Sequence, residues 1–161
     1  MPINPRQATP SLLQIDSIFV HLSGAPALTE VCRFLRSEFS HFQWLGIYRL
    51  DGRTLELAGW DGDKPTEHTS IPIDRGVCGR AAREGRTVIV DDVNADPDYL
   101  ACFLDTRSEI VVPVRHEGRV VGEIDADGRI PKAFDVSDGR FLEAVAGRIA
   151  PALARLGASP P

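Results

Sequence analysis

Apolar residues fall at helical spacing twice near the start of the chain. From Ser11 to Ser23 they are Leu12, Ile15, Phe19 and Leu22, with Gly24 as a stop. From Pro26 to Phe39 they are Leu28, Val31, Cys32 and Leu35, at i, i+3, i+4 and i+7. Such spacing gives each helix one apolar stripe. The period then drops to two. Trp44 to Leu50 alternates, Asp51-Gly52 turns the chain, and Thr54 to Trp60 runs back as a hairpin partner. His68 to Ile73 predicts a third, short strand, Gly79 to Glu84 a short helix closed by Gly85, and Thr87 to Val90 another strand. Residues 91–108 are a long polar connection, which in a compact domain is more often functional than filler. Within it Asp96-Pro97, an N-cap followed by proline at the first helical position, predicts one helical turn through Cys102. Glu109 to Arg115 and Arg119 to Ala126 predict two strands joined at His116-Glu117-Gly118. A closing helix runs from Ser137 to Leu156 with Phe141, Leu142, Val145, Ile149 and Leu153 inward. Hairpins enclosed by terminal helices make an α+β domain with a mainly antiparallel, six-stranded sheet over residues 11–157. Residues 1–10 and 158–161 are expected to be loose.

Composition narrows the partners. The chain has 161 residues, enough for one domain with a sizeable core, and is 43% apolar and 25% charged, an ordinary globular balance. Its net charge is −5 with a pI near 5.3, and no Lys/Arg stripe is interleaved with aromatics, so nucleic acid is disfavoured as a partner. No apolar run approaches the ~18 residues of a membrane helix, and Met1 to Pro10 lacks a charged-then-apolar leader. The cysteines Cys32, Cys78 and Cys102 are an odd set at irregular spacing, unlike a secreted disulfide framework. The expected location is the cytoplasm.

Three groups of residues carry candidate chemistry. Cys78, in Gly76-Val77-Cys78-Gly79, stands directly ahead of a short helix, where unpaired N–H groups and the helix dipole would favour a thiolate. Arg75 and Arg80 would add positive charge; the plain alternative is a small apolar residue in a tight turn. Cys102 lies in the long loop, close in sequence to Arg107, while Cys32 occupies an apolar helical face and reads as structural. The second group is acidic. Val121, Glu123, Asp125 and Asp127 point to one side of their strand, and Glu109 begins the strand that pairs with it. These carboxylates are either a solvated sheet face or a cluster that binds an ammonium group and retains a proton, since crowded carboxyls do not all ionise. Third, Trp44, Gly46 and Tyr48 share a face, which is either core packing or a glycine gap between two aromatic walls that holds a methyl or thioether group.

These residues resemble a known family. Phe134, Asp138 and Leu142, spaced F-x3-D-x3-L before the closing helix, resemble the end of a GAF domain. Within that superfamily, W-x-G-x-Y at 44–48, G-V-C-G at 76–79, A-C-x5-S-E-I-V-V-P at 101–113 and I-D-x-D at 124–127 resemble the free methionine-(R)-sulfoxide reductases. The resemblance implies a GAF fold. It further implies that Cys102 attacks the substrate sulfur and Cys78 resolves, an order that can be exchanged. Glu109, Asp125 and Asp127 would bind substrate, with Trp44 and Tyr48 as the aromatic wall. The family often carries a further cysteine ten residues before the G-V-C-G cysteine; here that residue is His68.

The implied chemistry is reduction of free methionine sulfoxide through a sulfenic acid and an intramolecular disulfide, which a thioredoxin-type reductant would restore. A carboxyl would supply the proton that lets the oxygen leave. No metal or organic cofactor is needed; a zinc site from His68, Cys78 and Cys102 lacks a fourth ligand. A homodimer is implied as well. The competing expectations are a non-catalytic GAF module that binds a small effector and a thiol-based redox sensor.

Overall fold

The computed structural model describes residues 3–101 and 103–157. Two helices open it, α1 (Pro5–His21) and α2 (Gly24–Glu38), and α4 (Val136–Gly157) closes it. Between them lie β1 (Trp44–Asp51), β2 (Thr54–Gly62), β3 (Ser70–Pro72), α3 (Gly76–Glu84), β4 (Val88–Val90), β5 (Ser108–His116) and β6 (Arg119–Gly128). One six-stranded sheet has the order β3-β2-β1-β6-β5-β4, and every neighbouring pair is antiparallel. The fold is therefore the α+β arrangement expected, and the central β1–β6 pair joins two sequential hairpins. The β5–β6 hairpin turns through Glu117 and Gly118, both with positive φ, the conformation that matches the twist of its strands.

Two local expectations fail at the ends of elements. The segment expected to be loose up to residue 10 is helical from Pro5, because Asn4 caps it by accepting from Arg6 N and Pro5 suits a first helical turn. Gly24 does not terminate α1, which ends at His21; it opens α2. The expected tail, residues 158–161, lies outside the described residues.

Each face of the sheet buries its own apolar cluster. On one side α1, α2 and α4 cover Leu45, Ile47, Ile110, Val112, Ile124 and Ala126, and the five inward residues expected of α4 are all buried there. Asp138 belongs to this side. It is fully buried, accepts from Asp135 N and contacts His41 Nε2 at 2.6 Å, so it fixes the entry to α4. On the other side α3 and the 91–107 connection cover the opposite residues of the same strands, Trp44, Tyr48 and Val111 among them. Strand alternation thus sends Glu109, Glu123, Asp125 and Asp127 to the side covered by one short helix and a loop.

Candidate functional site

Register lines the acids up in rows across three strands. Asp127 lies between Trp44 on β1 and Glu109 on β5, Asp125 between Gly46 and Val111, and Glu123 between Tyr48 and Pro113. Directly opposed side chains in such pairs stand about 5 Å apart at Cβ, so these carboxyls form one cluster. They are not a solvated face: Glu123 and Asp125 are fully buried, and Asp127 and Glu109 only 3% and 4% exposed.

Cys78 is set over this cluster by α3. The helix starts at Gly76, three residues earlier than the apolar pattern suggests, so Cys78 sits inside its first turn rather than ahead of it. Its thiol donates to Glu109 Oε1 at 3.9 Å. Donor atoms of Cys78, Glu109 and Asp125 all lie within 4.8 Å of one another. Among the described residues no fourth group joins these two carboxyls and one thiol, an incomplete set for a structural metal, and we assign no ion to them.

The electrostatics overturn the expectation of a stabilised thiolate. Burial, then the charges of Asp125, Glu123 and Glu109, push the Cys78 thiol well above its ordinary value. The helix dipole loses to desolvation and three neighbouring acids. Arg80 does not help, because it is spent on Asp96 at 2.8 Å and Asp98 at 2.9 Å. Cys32 is fully buried in α2, and burial pushes its thiol up too, in keeping with a structural role.

Every acid of the cluster is pushed up, chiefly by burial. Glu109 is raised further by Asp125 and Asp127, and Asp127 by Asp125 and Asp105. Neither Asp125 oxygen has a hydrogen-bond partner among the described residues, and a Glu109 oxygen lies within 4.8 Å of one of them, a crowding that disfavours ionisation of both carboxyls. Both Glu123 oxygens and one of Asp127 likewise receive no N–H or hydroxyl. No Lys, Arg or His is among the described groups that act on the four. Such a buried, acidic patch favours a positive charge brought from outside.

The aromatic residues behave otherwise than the spacing suggests. Trp44 and Tyr48 share the acidic face, but Gly46 leaves no gap, because the Trp44 ring lies across it. A Cβ on Gly46 would come within 2.3 Å of that ring, and one on Gly62 within 2.2 Å. Trp60 stacks with Trp44 at 6.4 Å between centroids, and Phe103 packs on it at 5.7 Å. Tyr48 donates to His68 O at 2.8 Å.

Two clefts flank the cluster. One, of about 280 Å³, is lined by Trp44, Lys64, Phe103, Asp127 and Arg129 among others, and the second, of about 220 Å³, by Val77, Cys78, Leu100 and Glu109. Arg129 bridges Asp63 and Asp105 at 2.5 and 2.9 Å across the rim of the first. The connection over both clefts is not the helix expected from Asp96. Among its described residues the helical turn is a 3-10 turn at Val93–Ala95, capped by Asp92; the Asp96 side chain accepts from Asp98 N and binds Arg80, and only a turn follows it. His68 Nε2 contacts Ala101 O at 2.9 Å, so His68 holds this loop and is not oriented on Cys78. Cys102 lies outside the described residues, while its neighbours Ala101 and Phe103 meet His68 and Trp44. Glu123 is the cluster member to which the motif resemblance gave no role, although its alternation with Asp125 was visible in the sequence.

Comparison with known proteins adds independent findings. A GAF domain family profile matches residues 27–154. The chain is 39% identical over 130 residues to a free methionine-R-sulfoxide reductase of Saccharomyces cerevisiae, covering 78% of this chain and 70% of that one. It is 37% identical over 116 residues to GAF domain-containing protein A of Dictyostelium discoideum, covering 71% and 72%. The X-ray structure of the free methionine-R-sulfoxide reductase from Neisseria meningitidis in complex with its substrate superimposes with a TM-score of 0.85 at 34% identity, covering 94% and 92%. Among the described residues, no helix is long and apolar enough to cross a membrane.

Proposed function

The chain is an oxidoreductase of the GAF domain family, in its free methionine-R-sulfoxide reductase branch, and from that premise we propose that it reduces free L-methionine-(R)-sulfoxide to L-methionine. The observation that carries this reading is the row of four buried carboxyls beside the Cys78 thiol, with unmet acceptors and, among the described residues, no basic side chain acting on them. A free amino acid brings the missing cation as its ammonium group, which a peptide-bound methionine lacks. Glu109, Asp125 and Asp127 bind that group, and Trp44 and Tyr48 close the apolar end against the thioether methyl.

The reaction needs a thiolate and an acid. Cys102 attacks the sulfoxide sulfur; the oxygen accepts a proton from a carboxyl kept neutral by burial, and Glu109, raised by burial and by Asp125 and Asp127, is such a group. Methionine leaves and the cysteine carries the oxygen as sulfenic acid. Cys78 then displaces that oxygen as water and forms a disulfide, which a thioredoxin-type dithiol reduces. No metal or organic cofactor enters these steps. Leu13 and Val20, exposed one heptad apart on α1, supply apolar surface for a homodimer; light scattering giving only the 17.6 kDa monomer mass at micromolar concentration would refute it.

The test is a thioredoxin-coupled turnover assay on the two sulfoxide epimers. The R epimer of the free amino acid should be consumed, and the S epimer and peptide-bound sulfoxide left nearly untouched. Equal rates on both epimers, or none on either, would leave the chain a GAF sensor rather than a reductase.

A further inference from the structure

The cleft lined by Trp44 has two charged poles. Its buried pole is Asp127, only 3% exposed, with one carboxyl oxygen that has no hydrogen-bond partner among the described residues. Its exposed pole holds two cations, Lys64 and Arg129, and two acids, Asp63 and Asp105. The rings of Trp44 and Phe103 line the same cleft. The rim charges are not equivalent. Arg129 is already spent, its Nη2 on Asp63 at 2.5 Å and its Nε on Asp105 at 2.9 Å. The other Asp63 oxygen is held by Arg36 at 3.4 Å. Lys64 has no ion pair or hydrogen bond among the described residues. Its backbone is nevertheless fixed on both sides. Asp63 before it is gripped by two arginines, and Pro65 after it has a locked φ. Thr66 beyond is buried, its hydroxyl accepting from His68 N at 3.0 Å. The chain thus delivers an unpaired cation to the mouth of a cleft whose buried pole is an unpaired carboxyl.

The ammonium of the proposed amino-acid substrate, on whose identity this inference rests, goes to Asp127. The α-carboxylate stands two bonds from that ammonium, so it enters the same cleft and needs a donor there; a carboxylate taken from water without one is costly. Asp63 and Asp105 repel it, and they already neutralise Arg129. Lys64 is the cation that remains. We propose that Lys64 is the carboxylate-binding residue of this site, holding the zwitterion between its own ammonium and Asp127. The two poles divide the work of selection. Asp127 rejects a methionine whose nitrogen is acylated, because an amide nitrogen brings no charge. Lys64 rejects one whose carboxyl is amidated, because an amide oxygen gives the lysine no anion to meet. A free amino acid satisfies both.

The test measures binding without chemistry. L-methionine and L-methioninamide share the ammonium and the thioether and differ in the carboxylate, and neither carries an oxygen on sulfur to be removed. Their affinities for reduced protein are measured by calorimetry at about pH 6, where both amines are charged. Wild type should bind methionine at least about tenfold more tightly than the amide, the low end for a hydrogen bond between charged groups. Lys64→Gln should erase that preference by weakening methionine and leaving the amide where it was, and Lys64→Arg should keep most of it. Lys132→Gln makes the same change of charge on an exposed residue outside the cleft and should keep it in full. In turnover, Lys64→Gln should raise KM for free methionine-(R)-sulfoxide about tenfold with kcat little changed, the mark of a contact made equally in ground and transition states. A preference that survives in Lys64→Gln, a loss shared by Lys132→Gln, or an unchanged KM overturns the proposal and leaves the reductase reading standing. Wild type that binds neither compound and consumes neither sulfoxide epimer overturns that reading, and the role of Lys64 with it.

Discussion

At the scale of single residues the site depends on what two glycines omit. The Trp44 ring occupies the space where side chains at Gly46 and Gly62 would begin. Gly46→Ala should therefore cost about 1–3 kcal/mol, the usual penalty for forcing a methyl into a filled core. Chemical denaturation followed by tryptophan fluorescence measures it, and an unchanged midpoint would mean that the ring moves freely. The acids make a second prediction with a definite sign. A carboxyl whose folded pKa is raised binds its proton more tightly in the folded state, so it stabilises the fold below its unfolded pKa, and that contribution disappears as pH rises through the folded value. Asp127→Asn removes this liability. It should be near neutral for stability at pH 4 and stabilising by about 1–3 kcal/mol at pH 8 in ligand-free protein, as when a buried unpaired charge is replaced. The same site should lose activity: Glu109→Gln should reduce turnover by roughly 10²–10⁴-fold, the usual worth of general acid catalysis. A stable amide variant with normal turnover would show that the acids serve neither binding nor proton transfer.

Among elements, α3 and the 91–107 connection have to act together. The helix presents Cys78, and two residues later Arg80 reaches out to Asp96 and Asp98 of the connection. Gly76 at the start of α3 lies so close to Leu100 that a Cβ there would stand 3.1 Å away from Leu100 Cβ. The ion pairs are partly exposed, so Arg80→Gln should cost the whole fold about 1 kcal/mol or less. Its effect belongs to the connection: amide hydrogen exchange over residues 93–101 should accelerate about tenfold, and KM for the sulfoxide should rise more than kcat falls. Unchanged exchange would show that the clefts are roofed by packing and not by these charges.

In the whole molecule, the sheet separates stability from chemistry. Ile149 and Leu142 of α4 pack on the face away from Cys78, in the cluster that also takes in α1 and α2. Ile149→Ala should cost about 2–5 kcal/mol, as buried large-to-small changes do, while the protein that remains folded keeps its turnover and its Cys78 reactivity. Denaturant curves and rates measured well below the midpoint would show this, and a loss of turnover matching the loss of stability would contradict it.

The sequence by itself determined which side of each strand is which. Alternation put Glu123, Asp125 and Asp127 together and separated Ile124 and Ala126 from them, because a strand's side-chain period is two whatever surrounds it, and the hairpin read from the turn at His116-Glu117-Gly118 brought the strand of Glu109 alongside. It also determined the element order and, through motifs spread from Trp44 to Leu142, the family. Burial was decided elsewhere. Whether the acidic face met water or a lid depended on α3 and the connection folding over it, a contact between segments far apart in the chain. The same distant packing reversed the expected effect on Cys78, since a helix N-terminus is local whereas desolvation and the charges of β5 and β6 are not. It placed the Trp44 ring over Gly46, where spacing had allowed a gap. It also turned Arg80 from a neighbour of the thiol into an anchor for the loop. Short-range periodicity is written residue by residue, but a dielectric environment belongs to the assembled fold.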